Sequence, residues 1–324
     1  MKVHILDDWF NTLRHLPSFE KLADHDVTVW TDHAPDTATL ADRLKDAEAL
    51  ILFRERTALR APLIDALPAL RLVSQRSVYP HIDVAALTAQ NILLSSNMHA
   101  GTPSYAAAEL TFALILASAR QLPAQMASVK AGAWQMGVGK TLRGRTLGLY
   151  GYGRIAKAVA TFAEAFGMAV VWWGSEAGRA RALADGARVA KSRAAFFAHS
   201  DFVSLHVRLK PETRGIITLD DCLGMASGAT LINTSRDGLF APGAVLAALE
   251  AGRPGTFALD VFDGEPVRDP HHPIVSHPNV IATPHIGYVT EDEFDLQFSD
   301  IYDQVNAFAA GAPINVINPE ALAP

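Results

Sequence analysis

Three segments of this 324-residue chain place ionisable side chains directly after β-type apolar runs, where open α/β sheets bind their ligands. Leu231-Ile-Asn-Thr-Ser-Arg236 ends in an arginine, and a guanidinium on a strand-to-loop turn can clamp a planar carboxylate through two parallel hydrogen bonds. Ala258-Leu-Asp260-Val-Phe-Asp-Gly-Glu265 supplies acids. Ile281-Ala-Thr-Pro-His285-Ile-Gly287 supplies a histidine, whose charge changes near neutral pH. Taken singly, each also has an ordinary reading: a surface ion pair, a solvated loop acid, a turn histidine.

A fourth segment gives these residues a context. Thr146-Leu-Gly-Leu-Tyr-Gly151-Tyr-Gly153-Arg154-Ile155-Ala156 runs from a β-type stretch into a Gly-x-Gly-x-x-Ala turn, and helical periodicity follows. Gly151 would allow the tight turn, Gly153 the approach of backbone to a pyrophosphate, and Ala156 close packing of helix on strand. Amides at the helix start, around Arg154 and Ile155, would face the phosphates. The next strand ends in Gly174 and Ser175, where an acid would normally bind the adenosine ribose and repel a 2′-phosphate. Arg179 and Arg181 follow and are suited to pairing with such a phosphate, so this reading favours NADP over NAD. Glu176 as a displaced ribose acceptor, and a merely solvated arginine face, stay open. Gly139-Lys140-Thr141 resembles the end of a phosphate-binding loop, but position 134 is Trp and the segment precedes its strand, so it is set aside.

Short apolar runs alternating with helical patterns predict parallel sheets covered by helices. The first array has strands at Val3–Leu6, Val27–Trp30, Ala49–Phe53, Leu70–Ser74 and Ile92–Leu94, with helices such as Thr37–Ala47 and Ile82–Ala89 between them. Helices at Ser104–Arg120 and Leu122–Ala131 lead to a second array. Its strands are Thr146–Tyr150, Met168–Trp173, Asp201–Leu205, Thr230–Asn233, Thr256–Asp260 and Val280–Ala282, and a last helix spans Glu291–Ala310. Six strands suit a doubly wound dinucleotide-binding domain.

Composition bounds the function. The chain exceeds the roughly 250–300 residues at which one core stops growing, so two domains are expected. A net charge of −6 without a basic run argues against a nucleic-acid partner. The most apolar helical stretch, Tyr105 to Ala119, is shorter than the roughly 20 residues of a membrane span and carries Glu109. A single cysteine, Cys222, and the absence of a secretory pattern at the start make the cytoplasm the expected compartment.

Together the segments resemble the D-isomer-specific 2-hydroxyacid dehydrogenase family, from Gln75 to the closing Ile314-Asn-Val-Ile-Asn-Pro. Gly-Tyr-Gly-Arg-Ile-Ala, Leu205-His-Val-Arg-Leu-Lys-Pro-Glu-Thr213, Asn233-Thr-Ser-Arg236, Asp260-Val-Phe-Asp-Gly-Glu265-Pro and Thr283-Pro-His285-Ile-Gly carry the resemblance in order. It implies a Rossmann cofactor domain, 99–290, and a flavodoxin-like substrate domain, 1–98 with 291–324, both doubly wound parallel sheets. Catalysis would lie in the cleft between them. It further implies hydride transfer between NAD(P)H and a 2-oxo acid. Arg236 would bind the carboxylate, His285 would be the acid/base, and Glu265 would hold its tautomer. A nearby carboxylate stabilises an imidazolium, which suits a proton donor. Asp260 resembles the residue that binds the nicotinamide carboxamide. His206, Val207, Thr213, Thr234, Ser235 and Gly287 resemble other cofactor contacts, and a homodimer is implied.

Several departures and alternatives accompany the resemblance. The family's substrate loop contains glycine and offers backbone amides to the substrate carboxylate. Here Ser74-Gln-Arg-Ser77-Val78-Tyr-Pro-His-Ile-Asp83 has none and is one residue short, which leaves the particular 2-hydroxy acid open. Arg54 and Arg56 follow the third strand and either select an anionic substrate, with Ser77 and Val78, or are simply solvated. Trp134 lies where related hydroxypyruvate reductases place a partner's pocket aromatic, and packing is an equal reading. His271, His272 and His277 look like a metal cluster but match a family loop without metal. The other functions weighed are an NAD(H)-sensing binding protein like the corepressors of this fold, and formate dehydrogenation, whose Gln–His pair is absent here.

Overall fold

A computed structural model describes residues 1–34, 36–98 and 105–322 and divides into two compact units, Met1–Pro103 with Val289–Pro324, and Ser104–Tyr288. Unit 1 is a parallel sheet of β1 (Lys2–Ile5), β2 (Asp26–Val29), β3 (Ala49–Ile51), β4 (Leu72–Arg76) and β5 (Leu93–Asn97), in the order β2-β1-β3-β4-β5. That is the flavodoxin-like order, whose crevice opens where β1 and β3 diverge. Its strands are apolar because helices cover both faces: Val3, Ile5, Leu50, Ile51, Leu72 and Val73 are fully buried.

The helices of unit 1 start where short polar side chains can cap them. Asp36 accepts from the Thr39 amide (2.9 Å) ahead of Thr37–Leu44, and Asp83 from the Ala86 amide (3.0 Å) ahead of Val84–Ala89. Both helices are shorter than their apolar patterns suggest, and the chain after β1 forms 3-10 turns (Leu13–His15, Pro17–Leu22). Thr290 caps the long final helix, Glu291–Ala309, whose Phe294, Phe298, Ile301, Tyr302 and Val305 are buried within unit 1. The chain then pairs Val316 antiparallel with Ser95, covering the exposed edge of β5.

Unit 2 orders β6 (Thr146–Tyr150), β7 (Ala169–Trp173), β8 (Phe202–Leu205), β9 (Thr230–Asn233), β10 (Thr256–Leu259) and β11 (Val280–Ala282) as β11-β10-β9-β8-β6-β7, all parallel. Beyond β7 the chain adds one more rung, a parallel bridge from Trp172 to Val189, with Trp172 N donating to Arg188 O (2.9 Å) and Ala190 N to Trp172 O (3.0 Å). Counting that rung as a reduced third strand makes seven in the order 3-2-1-4-5-6-7, the 3-2-1-4-5-6 order of a Rossmann sheet with β11 added beside β10. The apolar runs do not reveal it, because three residues at a sheet edge are too short for a period. The helix Ala106–Arg120 packs on this sheet through Ala108, Phe112 and Ile115; its expected start at Ser104 lies outside the described residues. Among the described residues no helix is long and apolar enough to cross a membrane.

Candidate active site

The glycine turn after β6 is built by exclusion. Gly151 has φ +115°, and a Cβ there would lie 2.4 Å from the His206 carbonyl oxygen and 2.9 Å from Val207 Cγ1. Only glycine meets both demands. Gly153, by contrast, faces open space on its Cβ side and caps the helix Arg154–Ala165 without a side-chain hydrogen bond. The first amides of that twelve-residue helix have no intrahelical acceptor, so backbone donors and room for a pyrophosphate coincide. Ala156 behind them is fully buried against the sheet. These features fit a dinucleotide.

At the end of β7, Gly174 takes φ +148° and Ser175 caps Glu176–Ala184 by accepting from the Gly178 amide (3.2 Å). Arg179 donates to the Gly174 carbonyl (2.7 Å) and its guanidinium stacks over Trp173 at 4.3 Å. It is therefore held at the strand end, whereas Arg181 is exposed. Other residues expected at the cofactor are partly committed to the protein. His206 shares a hydrogen bond with Ser204 Oγ (2.9 Å), and burial pushes its imidazole down to about 4, so it stays neutral. Thr213 Oγ1 donates to Arg208 O (2.6 Å) and accepts from the Lys210 amide, closing a turn. Thr234 Oγ1 meets Thr111 Oγ1 (2.7 Å), and Ser235 Oγ donates to Leu205 O (2.7 Å).

The ionisable trio follows three neighbouring strands: Arg236 after β9, Glu265 after β10 and His285 after β11. His285 Nδ1 lies 2.5 Å from Glu265 Oε2, and the other Glu265 oxygen accepts from the Phe262 amide (2.8 Å). Burial pushes the Glu265 carboxyl up, but hydrogen bonds from His285 and Phe262 and the charges of His285 and Arg236 outweigh it and leave it below the usual carboxylate value. The imidazole is about 31% exposed, and Nε2 is the nitrogen not engaged by Glu265. Arg236 is exposed and donates to the Ser235 carbonyl (2.7 Å).

Sequence reasoning overlooked what holds His285. Its backbone is left-handed, φ +55°. The carboxylate of Asp260, fully buried, accepts from Thr283 Oγ1 (2.6 Å), the Ile286 amide (2.9 Å) and the Gly287 amide (2.9 Å), on either side of the histidine. Burial raises the Asp260 carboxyl despite these donors. Only the position of an acid at the strand end hinted at this role. His272 and His277 turn Nδ1 to loop amides (3.1–3.3 Å), and the described residues hold no group of three or more His, Cys, Asp or Glu arranged for a metal.

In unit 1, Arg54 is half-buried with φ +58°. Arg56 is not simply solvated: its guanidinium lies 4.0 Å from both the Trp9 and Phe53 rings and donates to the Asp7 carbonyl (2.7 Å). Ser77 takes φ +79°, the left-handed conformation that glycine would adopt without strain, and Val78 beside it is exposed. Trp134 is 74% exposed.

The NAD-binding domain of D-isomer-specific 2-hydroxyacid dehydrogenases matches residues 112–287. The chain belongs to this family. It is similar to a glyoxylate reductase from Aeropyrum pernix, 33% identical over 92% of this chain and 91% of that one. It is 34% identical to D-3-phosphoglycerate dehydrogenase of Methanocaldococcus jannaschii over 86% of this chain but 53% of the relative, so it spans about half that enzyme's length. A solved oxidoreductase from Ralstonia solanacearum superposes with a TM-score of 0.94 at 40% identity, covering 100% of this chain and 98% of that one. As a member of the 2-hydroxyacid dehydrogenase family the protein is a nicotinamide-dependent oxidoreductase of the CH–OH group, and these dehydrogenases and reductases support that reading over the sensor reading.

Gly151→Ala tests the turn. The Cβ meets backbone rather than a flexible side chain, so Tm should fall and NAD(P)H binding, followed by fluorescence, should weaken at least about tenfold, a loss of roughly 1.4 kcal/mol. Unchanged binding would show that the turn does not face the cofactor.

Proposed function

We propose that this protein reduces a small 2-oxo acid to the D-2-hydroxy acid, with His285 as acid/base, Glu265 as its partner and Arg236 as the carboxylate clamp. The observation that carries the reading is the 2.5 Å Glu265–His285 contact beside an exposed arginine, on three adjacent strand ends. When bound, the nicotinamide supplies the hydride to C2 of the substrate. Gly151, Gly153, Arg154 and Ile155 would hold its pyrophosphate, with Gly174, Ser175, His206, Val207, Thr213, Thr234, Ser235, Asp260 and Gly287 lining the rest. Unit 2 is thus the cofactor unit and unit 1 the substrate unit, with contributions from Arg54, Ser77 and Val78.

The chain's part in the reaction is to bind and to move one proton. Arg236 offers paired donors to the carboxylate and draws charge from the neighbouring carbonyl. His285, with Nδ1 held by Glu265, gives the Nε2 proton to the carbonyl oxygen in reduction and takes it back in oxidation. The proton and the hydride together account for the two hydrogens gained by the 2-oxo acid.

His285→Ala should lower kcat about 10²–10⁴-fold in a nicotinamide absorbance assay with glyoxylate, hydroxypyruvate, pyruvate and a phenyl-substituted 2-oxo acid. Wild-type turnover no faster than this variant would refute the assignment. Glu265 also makes a pH prediction. Its folded pKa is depressed, so its contribution to stability is complete above the free-glutamate value of about 4.3 and drains as pH falls below it. Glu265→Gln should remove that acid-limb component from the pH dependence of Tm; an unchanged limb would mean the pair adds nothing to stability.

We further propose NADP as the preferred cofactor, supported by the absence of an acid at Gly174 and Ser175 and by the placement of Arg179. Comparison of kcat/KM for NADPH and NADH decides it: Arg179→Ala should reduce the NADPH advantage, and a strong preference for NADH in the wild type would overturn the proposal. A homodimer is proposed as well. The helix Leu122–Lys130 buries none of its residues in the chain, and it exposes Leu122, Met126 and Val129 next to Trp134, Met136 and Val138. Sedimentation at one chain mass would contradict it.

A further inference from the structure

The loop after β4 must do without glycine, and the structure contains a device that compensates. Ser77 is left-handed at φ +79°, a conformation unfavourable for any residue with a Cβ. It is held on both sides of the residue. Its amide donates to Asn97 O (3.1 Å). Its carbonyl accepts two side-chain donors, Gln75 Nε2 (2.8 Å) and Ser96 Oγ (2.7 Å), while Gln75 Nε2 also donates to Ser96 Oγ (2.8 Å). Gln75 and Ser96 are direct partners in the β4–β5 register, and both are buried, 1% and 2% exposed. The final helix supports this pair from beneath. Gln304 donates to Gln75 O (3.0 Å) and Ser74 Oγ (2.8 Å), and Ser74 Oγ donates to Ile301 O (2.9 Å).

We propose that Gln75 and Ser96 are positioning residues for substrate binding: they lock Ser77 in the left-handed conformation and so aim the amides of Val78 and Tyr79 at the substrate carboxylate. Among the described residues neither of those amides has an acceptor, although the Ser77 amide and carbonyl beside them are both engaged. Gln75 is costly to keep there, since its Oε1 is buried without a partner. A strained residue over-determined by buried donors, next to unpaired amides, is the pattern expected of a binding site rather than of a surface turn. In this chain two side chains do by hydrogen bonding what a glycine would do by lacking a Cβ.

The inference rests on the reading of Ser77 and Val78 as substrate contacts, and the experiment separates the two. Kinetics with glyoxylate and hydroxypyruvate are compared for wild type, Gln75→Leu, Ser96→Ala, Ser77→Gly, and the Gln75→Leu/Ser77→Gly double variant, with NAD(P)H affinity and Tm recorded for each. Gln75→Leu should raise KM about tenfold, the equivalent of roughly 1.4 kcal/mol, with kcat and NAD(P)H affinity little changed. Ser96→Ala, which removes one donor to Ser77 O and one acceptor of Gln75 but leaves the Gln75–Ser77 bond, should raise KM less. Ser77→Gly supplies the reference KM of a loop whose left-handed residue needs no lock. In the double variant glycine takes the left-handed conformation unaided, so much of the lost KM should return. A merely structural Gln75 would give no such rescue. Wild-type KM in Gln75→Leu and Ser96→Ala, or a double variant no better than Gln75→Leu alone, overturns the proposal. Failure of the wild type to reduce any 2-oxo acid would instead overturn the function reading. Should Gln75→Leu fail to fold, the Ser96→Ala KM decides.

Discussion

The buried carboxylate of Asp260 is the constraint from which the placement of His285 follows. A histidine at φ +55° is unfavourable by about 1–2 kcal/mol relative to ordinary backbone. It persists because Asp260 takes three donors from the turn around it, and each would be left unpaired if the turn relaxed. The parallel register makes this possible: Leu259 pairs with Ala282, and Thr283 N donates to Leu259 O (2.9 Å), bringing the first residue after β10 beside the first after β11. Glu265 leaves the same strand five residues later and is fixed by the Phe262 amide. Both groups that orient His285 therefore come from one short stretch, and the imidazole has little freedom in direction or tautomer.

The cofactor side depends on a comparable close approach. β6 lies between β7 and β8, where the sheet reverses its order of winding, and a doubly wound sheet opens its crevice there. The missing side chain of Gly151 lets the His206 carbonyl come up to the glycine turn, which ties the end of β8 to the start of the helix Arg154–Ala165. His206 can occupy this place because its desolvated ring stays uncharged and satisfies Ser204 as a neutral group. A lysine there would bring a charge into the same desolvated place.

Much of this was legible in the residues, and the exceptions share a cause. Parallel strands covered on both faces read as apolar runs, so Thr146–Tyr150, Thr230–Asn233 and Val280–Ala282 stand where the pattern puts them. The glycine turn was recognisable from the strand before it and the helix after it. The rung at Val189 was not, since a single bridge leaves no periodic trace. Nor was the role of Asp260, whose donors lie 23 to 27 residues away and meet it only through strand register. Gln75 and Ser96 are of the same kind. In sequence they are polar residues just past two expected strands; only the pairing of β4 and β5, which run beyond those expected ends, shows that they point into one bend. A serine gives no local sign of a left-handed backbone, because its neighbours impose it.

On the proposed reading, proton handling and substrate recognition are built by different physical means. Arg236, Glu265 and His285 sit on consecutive strand ends of one sheet, so their relation is set by the spacing of strands and is tied to the fold itself. The loops of unit 1 are set by side chains: Arg56 clamped between Trp9 and Phe53, Ser77 held by Gln75 and Ser96. Exchanging a side chain can remodel such a loop without moving a strand. With unit 1 as the proposed substrate unit, a change in the preferred 2-oxo acid is accessible through residues of these loops. A change in the reaction would require disturbing the register of β9, β10 and β11, on which the core of unit 2 also depends.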